Sequence, residues 1–119
     1  ANAEAKGMTA FSKSYVQNVA QTEYWEIYNS WCEIVMLQNY LIKHNIPYIF
    51  TQVDNSLFEY NDAMDGTLTT LRSDIDMTKF VMDEGMYNWA KRTKQQFYTT
   101  HPHESAHVEW INMLYDRIM

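Results

Sequence analysis

IPYIFTQVD, residues 46–54, decides how this chain is read. Pro47 has no backbone N–H and ends any helix that reaches it. The six residues after it, Tyr48-Ile49-Phe50-Thr51-Gln52-Val53, are rich in β-branched and aromatic side chains. That composition predicts a buried strand ending at Asp54-Asn55. Upstream, Tyr24, Ile27, Tyr28, Trp31, Ile34, Val35, Tyr40, Leu41 and Ile42 recur at three-and-four spacing, which predicts an amphipathic helix from Thr22 to His44. Thr22 is its expected N-cap and Asn45 its expected stop. A long helix, a short connection and a buried strand together predict an α/β unit with a parallel sheet.

The flanks fill in that frame. MTAFSKSYVQNV, residues 8–19, has the spacing of a short first helix. Residues 56–75 read as a loop and then a short helix around 64–73, bearing Met64, Leu68 and Leu71. A second short strand is expected near Phe80-Val81-Met82, a brief helix in MYNWAKR after Gly85, and a last helix from Pro102 to near the C-terminus. The expected fold class is α/β, helix-rich with a small parallel sheet. A lead with a short helix occupies 1–21, and one α/β domain occupies 22–119.

Bulk properties narrow the function. The chain has 119 residues, enough for one core, and 46% of them are hydrophobic. A net charge of −6 argues against nucleic acid and anionic membrane as partners. Lys91-Arg92-Thr93-Lys94 is the one basic cluster and reads as a solvated helix end. Cys32 is the single cysteine, so an internal disulfide is excluded, and its apolar surroundings predict a buried, inert thiol. No signal peptide or membrane span is visible, which gives a cytoplasmic expectation.

HPHESAH, residues 101–107, carries the candidate chemistry, and three readings of it stay open. His103-Glu104-Ser105-Ala106-His107 is a literal H-E-x-x-H, whose histidines would hold zinc with Glu104 polarising a bound water. No third ligand follows at a familiar spacing. The second reading is a capped helix, with His101 as N-cap, Pro102 at N1 and Glu104 at N3, and His107 at the edge of a stripe through Ile111, Leu114 and Ile118. The third makes His101 a general base, since the N-terminus of a helix disfavours the imidazolium. On an open α/β sheet it would meet Asp54 outside the strand ends. No cofactor and no metal are expected on the second and third readings.

The ordered series NIPYIFTQVDN, IDMTKF, GMYNWA and a His-Pro before an amphipathic helix with a Trp resembles the C-terminal half of SGNH/GDSL-type hydrolases, closest to divergent, phage-type members. The resemblance spans about residues 22–119. It implies a flavodoxin-like α/β sandwich in which an N-terminal Ser attacks an ester. His101 would act as base, and an ester or an acylated carbohydrate would be the substrate. The family's orienting Asp stands three residues before the His, where this chain has Tyr98, so a backbone carbonyl or a carboxylate from elsewhere, Asp54 for instance, would have to take that role. Gly-Asp-Ser occurs nowhere in the sequence. Asp65-Gly66-Thr67 is the nearest approach to it. The chain therefore reads as the back half of such a hydrolase, inactive by itself. The alternative reading is a stand-alone interaction module. Its aromatic-rich helix 22–44 and uncovered apolar faces predict a homo-oligomer.

Overall fold

The computed structural model describes residues 3–60 and 65–119, with the side chains of 7–60 and 65–119. Met64, expected at the start of a helix, lies outside the described residues. In chain order the elements are α1 (Ala3–Tyr15), one π-helical turn (Val16–Ala20), α2 (Glu23–Lys43), α3 (Ser56–Glu59), α4 (Gly66–Asp74), a 3-10 turn (Met77–Lys79), α5 (Met86–Arg92) and α6 (Glu104–Ile118). The chain divides into two compact units, Ala1–Asn39 with Asn61–Ile75 and Tyr40–Tyr60 with Asp76–Met119. Among the described residues no helix is long and apolar enough to cross a membrane.

In the first unit, Thr22 caps α2 as its sequence position suggests, its Oγ1 accepting from Trp25 N at 3.3 Å. Asp65 does the same for α4, accepting from Leu68 N at 3.0 Å. Two further bonds tie these helices together. Tyr24 Oη donates to the Asp65 carboxylate at 2.7 Å, and the buried Gln38 donates its Nε2 to the carbonyl of Asp74 at 2.7 Å. The first joins the starts of the two helices and the second joins their later turns, so α2 and α4 run in the same sense. Ile27 and Trp31 on α2, Leu68 on α4 and Ile75 just after it are the buried apolar side chains of this unit.

The second unit corrects the expected fold class. Residues 46–53 are extended, but no strand or sheet forms among the described residues, so the chain is not an α/β fold with a parallel sheet. Phe50 and Phe80 meet in one isolated parallel bridge, with Phe50 N donating to Lys79 O at 2.7 Å and Val81 N donating to Phe50 O at 3.3 Å. The physical reason lies on both sides of Phe80. Asp76 accepts from Thr78 N at 3.0 Å and caps a 3-10 turn that occupies Met77–Lys79, leaving no room for a strand before Phe80. After it, α5 begins at Met86. The first amides of a helix have no partner within it. Here Met86 N and Tyr87 N donate to Gln52 O and Val53 O at 3.0 and 2.8 Å. The carbonyls that a neighbouring strand would have paired are taken by a helix N-terminus.

Both helix exits in this unit are closed in the same way. Asn45 (φ 53°) and Lys94 (φ 58°) take the left-handed conformation just past α2 and α5. The chain then turns back, Ile46 N reaching Leu41 O and Gln95 N reaching Ala90 O, each at 2.9 Å, which is the Schellman arrangement. From there the chain makes a tight reversal. Phe97 and Pro102 form an antiparallel bridge, and His103 N donates to Gln96 O at 2.8 Å.

The core of this unit is Met82, Trp89, Ala90, Ala106 and Trp110, with Val81, Met86, Phe97, Met113 and Leu114 packed against it. The Trp89 and Trp110 rings lie 5.3 Å apart at 53° and bring α5 and α6 together. A buried Trp pair of this kind adds about 0.5–1.5 kcal/mol beyond the area it removes from water. The buried face of α6 is thus Ala106 and Trp110 with Met113; of the stripe expected through Ile111, Leu114 and Ile118, Leu114 packs against this core and the other two are exposed. The sequence carries two apolar stripes on this helix, and the one holding Trp110 is the one that packs.

At Gly85 the start of α5 lies directly against the backbone of residues 53–54. A Cβ there would lie 2.6 Å from Val53 O and 2.7 Å from Asp54 Cα and N, all backbone atoms. Gly85→Ala is therefore expected to lower stability by about 1–3 kcal/mol through overpacking. Gly66→Ala, where nothing lies within 4 Å, is expected to leave stability unchanged or slightly raised. Urea unfolding midpoints of the two variants against the parent check the contrast.

Candidate active site

The extended segment, the start of α5 and the reversal before α6 converge on one cavity of about 320 Å³, lined by Val53, Asp54, Met86, Tyr87, Thr100, His101, Pro102 and His107. Its lining is chiefly apolar carbon, with Asp54, Thr100 and the two imidazoles as the polar groups. His101 and Asp54, 47 positions apart in sequence (101 minus 54), thus line the same cavity. No hydrogen bond joins them directly.

Asp54 is held from two directions. Its Oδ1 accepts from Ser56 N at 2.8 Å at the entrance to α3. That bond, with the Ser56 side chain, holds its carboxyl below the ordinary carboxylate range against a smaller opposing effect of burial. Asp54 is therefore an anion at neutral pH. Next to it, Asn55 N donates to Asn88 Oδ1 at 2.9 Å, and Gly85 N donates to Asn55 Oδ1 at 2.6 Å. These two side-chain amides lock the 53–55 backbone against the start of α5. Sequence reasoning missed both Asn55 and Asn88, because nothing in a single sequence links residues 33 positions apart.

His101 sits where the chain reverses, with Tyr98 N donating to its carbonyl at 3.0 Å. This differs from the expected cap. The residue before α6 is His103, and Glu104 is the first helical residue, so neither Pro102 nor His101 belongs to the helix start as the sequence suggested. The Phe97–Pro102 bridge holds the chain extended through Pro102 and delays the helix by two residues. His101 is exposed on the reversal and is among the residues that line the cavity.

Tyr98, in the place of the family's orienting Asp, does not serve His101. Its ring is 75% exposed and stacks on His103 at 4.1 Å. The H-E-x-x-H pattern is divided in the same way. His103 has extended backbone (φ −65°, ψ 163°) outside the helix and faces Tyr98, whereas His107 lies one turn into α6 and lines the cavity. Among the described residues no group of three His, Cys, Asp or Glu side chains is arranged to hold a metal ion. His107 is exposed, not a core-edge histidine.

The remaining motifs have structural roles. Asp65-Gly66-Thr67, the nearest sequence match to a nucleophile block, is the capped start of α4. Lys91-Arg92-Thr93-Lys94 is the end of α5, where Arg92 pairs with Glu84 at 2.6 Å and Lys91 lies over the Tyr87 ring at 5.3 Å. Cys32 is half-buried on α2. No protein-family model matches the chain, and no curated protein or solved structure is detectably similar to it.

Asp65 and Asp76 are held low as Asp54 is, Asp65 by the Leu68 amide and the Tyr24 hydroxyl and Asp76 by the Thr78 hydroxyl and amide. A carboxyl whose folded pKa is depressed stabilises the fold above its unfolded value, near 4. That contribution disappears as pH falls through the lower folded value. Stability is thus expected to be level from pH 7 to about 5 and to fall below about 4. Asp65→Asn, which keeps a capping side chain but cannot titrate, should flatten the acid limb. Urea midpoints taken from pH 7 down to 2.5 measure both.

Proposed function

We propose that this chain supplies the general-base half of an SGNH-like ester-hydrolysing site, with His101 as base and Asp54 as its fixed anion. The observation that supports this most is the shared cavity, because the two candidate residues line one largely apolar space although the sheet expected to bring them together does not form. In this reading His101 takes the proton of an attacking hydroxyl as the new C–O bond forms. It then delivers that proton to the departing alkoxide as the ester C–O bond breaks. Asp54, kept ionised by the Ser56 amide, favours the transient imidazolium by its negative charge across the shared cavity. The chain has no Gly-Asp-Ser block, and this reading assigns the serine and the oxyanion donors to another polypeptide. Substrates are esters, among them acyl groups on carbohydrate.

An exposed imidazole also cleaves activated esters slowly by itself, which allows a test without the serine. The protein should cleave p-nitrophenyl acetate slowly, and His101→Asn should remove most of that rate while His44→Asn leaves it in place. A His101→Asn protein as fast as the parent would end the proposal.

Self-association is a second reading, favoured by the uncovered side chains of α2. Met36, Leu37 and Tyr40 are 71%, 49% and 56% exposed, on a helix whose apolar residues exceed what its buried face requires. The molar mass from light scattering should then rise with protein concentration and fall back in Met36→Glu. A constant monomer mass across the range would exclude it.

A further inference from the structure

The helix α6 packs on its own unit through one face only. Ala106 and Trp110 are buried there, and Met113 and Leu114 lie against the same core. At about 3.6 residues per turn, Val108, Ile111, Tyr115 and Ile118 stand on the side away from Ala106 and Trp110. They are 55%, 57%, 59% and 50% exposed. Their spacing of three, four and three is that of a coiled-coil seam, a second apolar line that the helix does not need for its own core. Glu104, in the first turn, takes the seam's next position, four residues before Val108.

The same face carries a hollow of about 260 Å³, lined by Glu104, His107, Val108, Ile111 and Asn112. The first four are residues i, i+3, i+4 and i+7, the set that forms a hole for one side chain of a facing helix. Val108, Ile111, Asn112 and Tyr115 form the next hole along. The helix thus holds both the knobs and the holes of one contact. Two copies of α6 running antiparallel and crossing level with Met113 bring them together. Ile118 of the second copy enters the hole of Glu104, His107, Val108 and Ile111, and its Tyr115 enters the next one. Val108 then lies opposite Ile118 and Ile111 opposite Tyr115, each pair occurring twice.

Charge selects both the occupant and its direction. A chain of net charge −6 resists self-contact wherever its carboxylates face each other. The residues that flank the seam, Ser105, His107, Asn112 and Leu114, include no carboxylate, lysine or arginine, and Glu109 and Asp116 lie further round the helix. A parallel pair would set Glu104 against Glu104 on the seam, a repulsive juxtaposition. The antiparallel pair separates them by roughly 27 Å, at about 1.5 Å per residue, and opposes the two helix dipoles. It also brings Asn112 of each copy near the two-fold axis, where one amide can donate to the other. We infer that α6 is a self-association seam, through which two copies of this chain pair antiparallel by Val108, Ile111, Tyr115 and Ile118. The inference does not depend on the hydrolase reading, and it names a different helix from the α2 face proposed above. Four half-exposed side chains and their flanks come to roughly 500 Å² per copy, or roughly 1,000 Å² in all. That is the lower limit for a specific interface, so a Kd of roughly 10–100 µM is expected.

Sedimentation equilibrium of the full chain, run from below to well above that range, should show monomer passing to dimer. Ile111→Glu, at an exposed position, should weaken the dimer at least about tenfold by burying a charge in the seam. Trp89–Trp110 ring cross-peaks in its NMR spectrum would show that the variant keeps its core. Direction is read by cross-linking. A short bis-maleimide should join two copies of Asn112→Cys and should not join Glu104→Cys, with the parent and its Cys32 as the control. A dimer that Ile111→Glu dissolves and Met36→Glu leaves intact would support the α6 seam and end the α2 reading. A dimer that Met36→Glu dissolves and a folded Ile111→Glu leaves intact would overturn the inference and keep α2. Monomer throughout, with the seam then open to a different protein, would overturn both. Glu104→Cys joined as readily as Asn112→Cys would overturn the antiparallel pairing.

Discussion

The contact between Gly85 and the backbone of Val53 and Asp54 is the constraint on which the second unit depends. Two chain segments touch there with no room for a Cβ. Asn55 and Asn88 seal the contact with a bond on each side. From it follow the direction in which α5 leaves, the donation of its first amides to Gln52 and Val53, and the placement of Met86 and Tyr87 beside Asp54. The Trp89–Trp110 packing then fixes α6 on α5, and α6 brings His107 and the preceding reversal to the same place. A functional site assembled this way is held by backbone bonds and a packed core, so its lining side chains are free to vary in size without moving the walls.

The same contact explains why residues 46–53 read as a strand and do not join a sheet. Composition reports the wish of a segment to be extended and half-buried, and this one is. What composition does not report is who takes the hydrogen bonds. Lys79 and Val81 serve Phe50, but the carbonyls of Gln52 and Val53 go to helix amides instead of a strand. The helices were more legible because their signals are local. Thr22, Asn45 and MYNWAKR mark boundaries that the structure reproduces closely, since a cap or a left-handed exit is decided within five residues. The start of α6 was misplaced for a non-local reason, the pairing of Phe97 with Pro102 across the reversal.

Asp54 and His101 were paired in the sequence at the edge of a sheet that does not form, and the two residues line one cavity for another reason, the packing of α5 and the reversal on residues 53–54. Tyr98 could not be judged from sequence, because its stacking on His103 depends on how tightly the chain reverses. The H-E-x-x-H pattern is divided for a related reason: α6 begins at Glu104, so His103 is its N-cap and only His107 is helical. Met86, Tyr87, Asn55 and Asn88 form the walls and the lock, and no pattern in one sequence connects them.

The central claim is that His101 faces a cavity shared with Asp54, Val53 and Met86. The most direct measurement is a nuclear Overhauser spectrum of the full chain, with the histidine rings and the Val and Met methyls labelled. The account predicts cross-peaks from the His101 ring to the methyl groups of Met86 or Val53, alongside those between the Trp89 and Trp110 rings that report an intact core. Trp89–Trp110 cross-peaks with none from His101 to either methyl would contradict it.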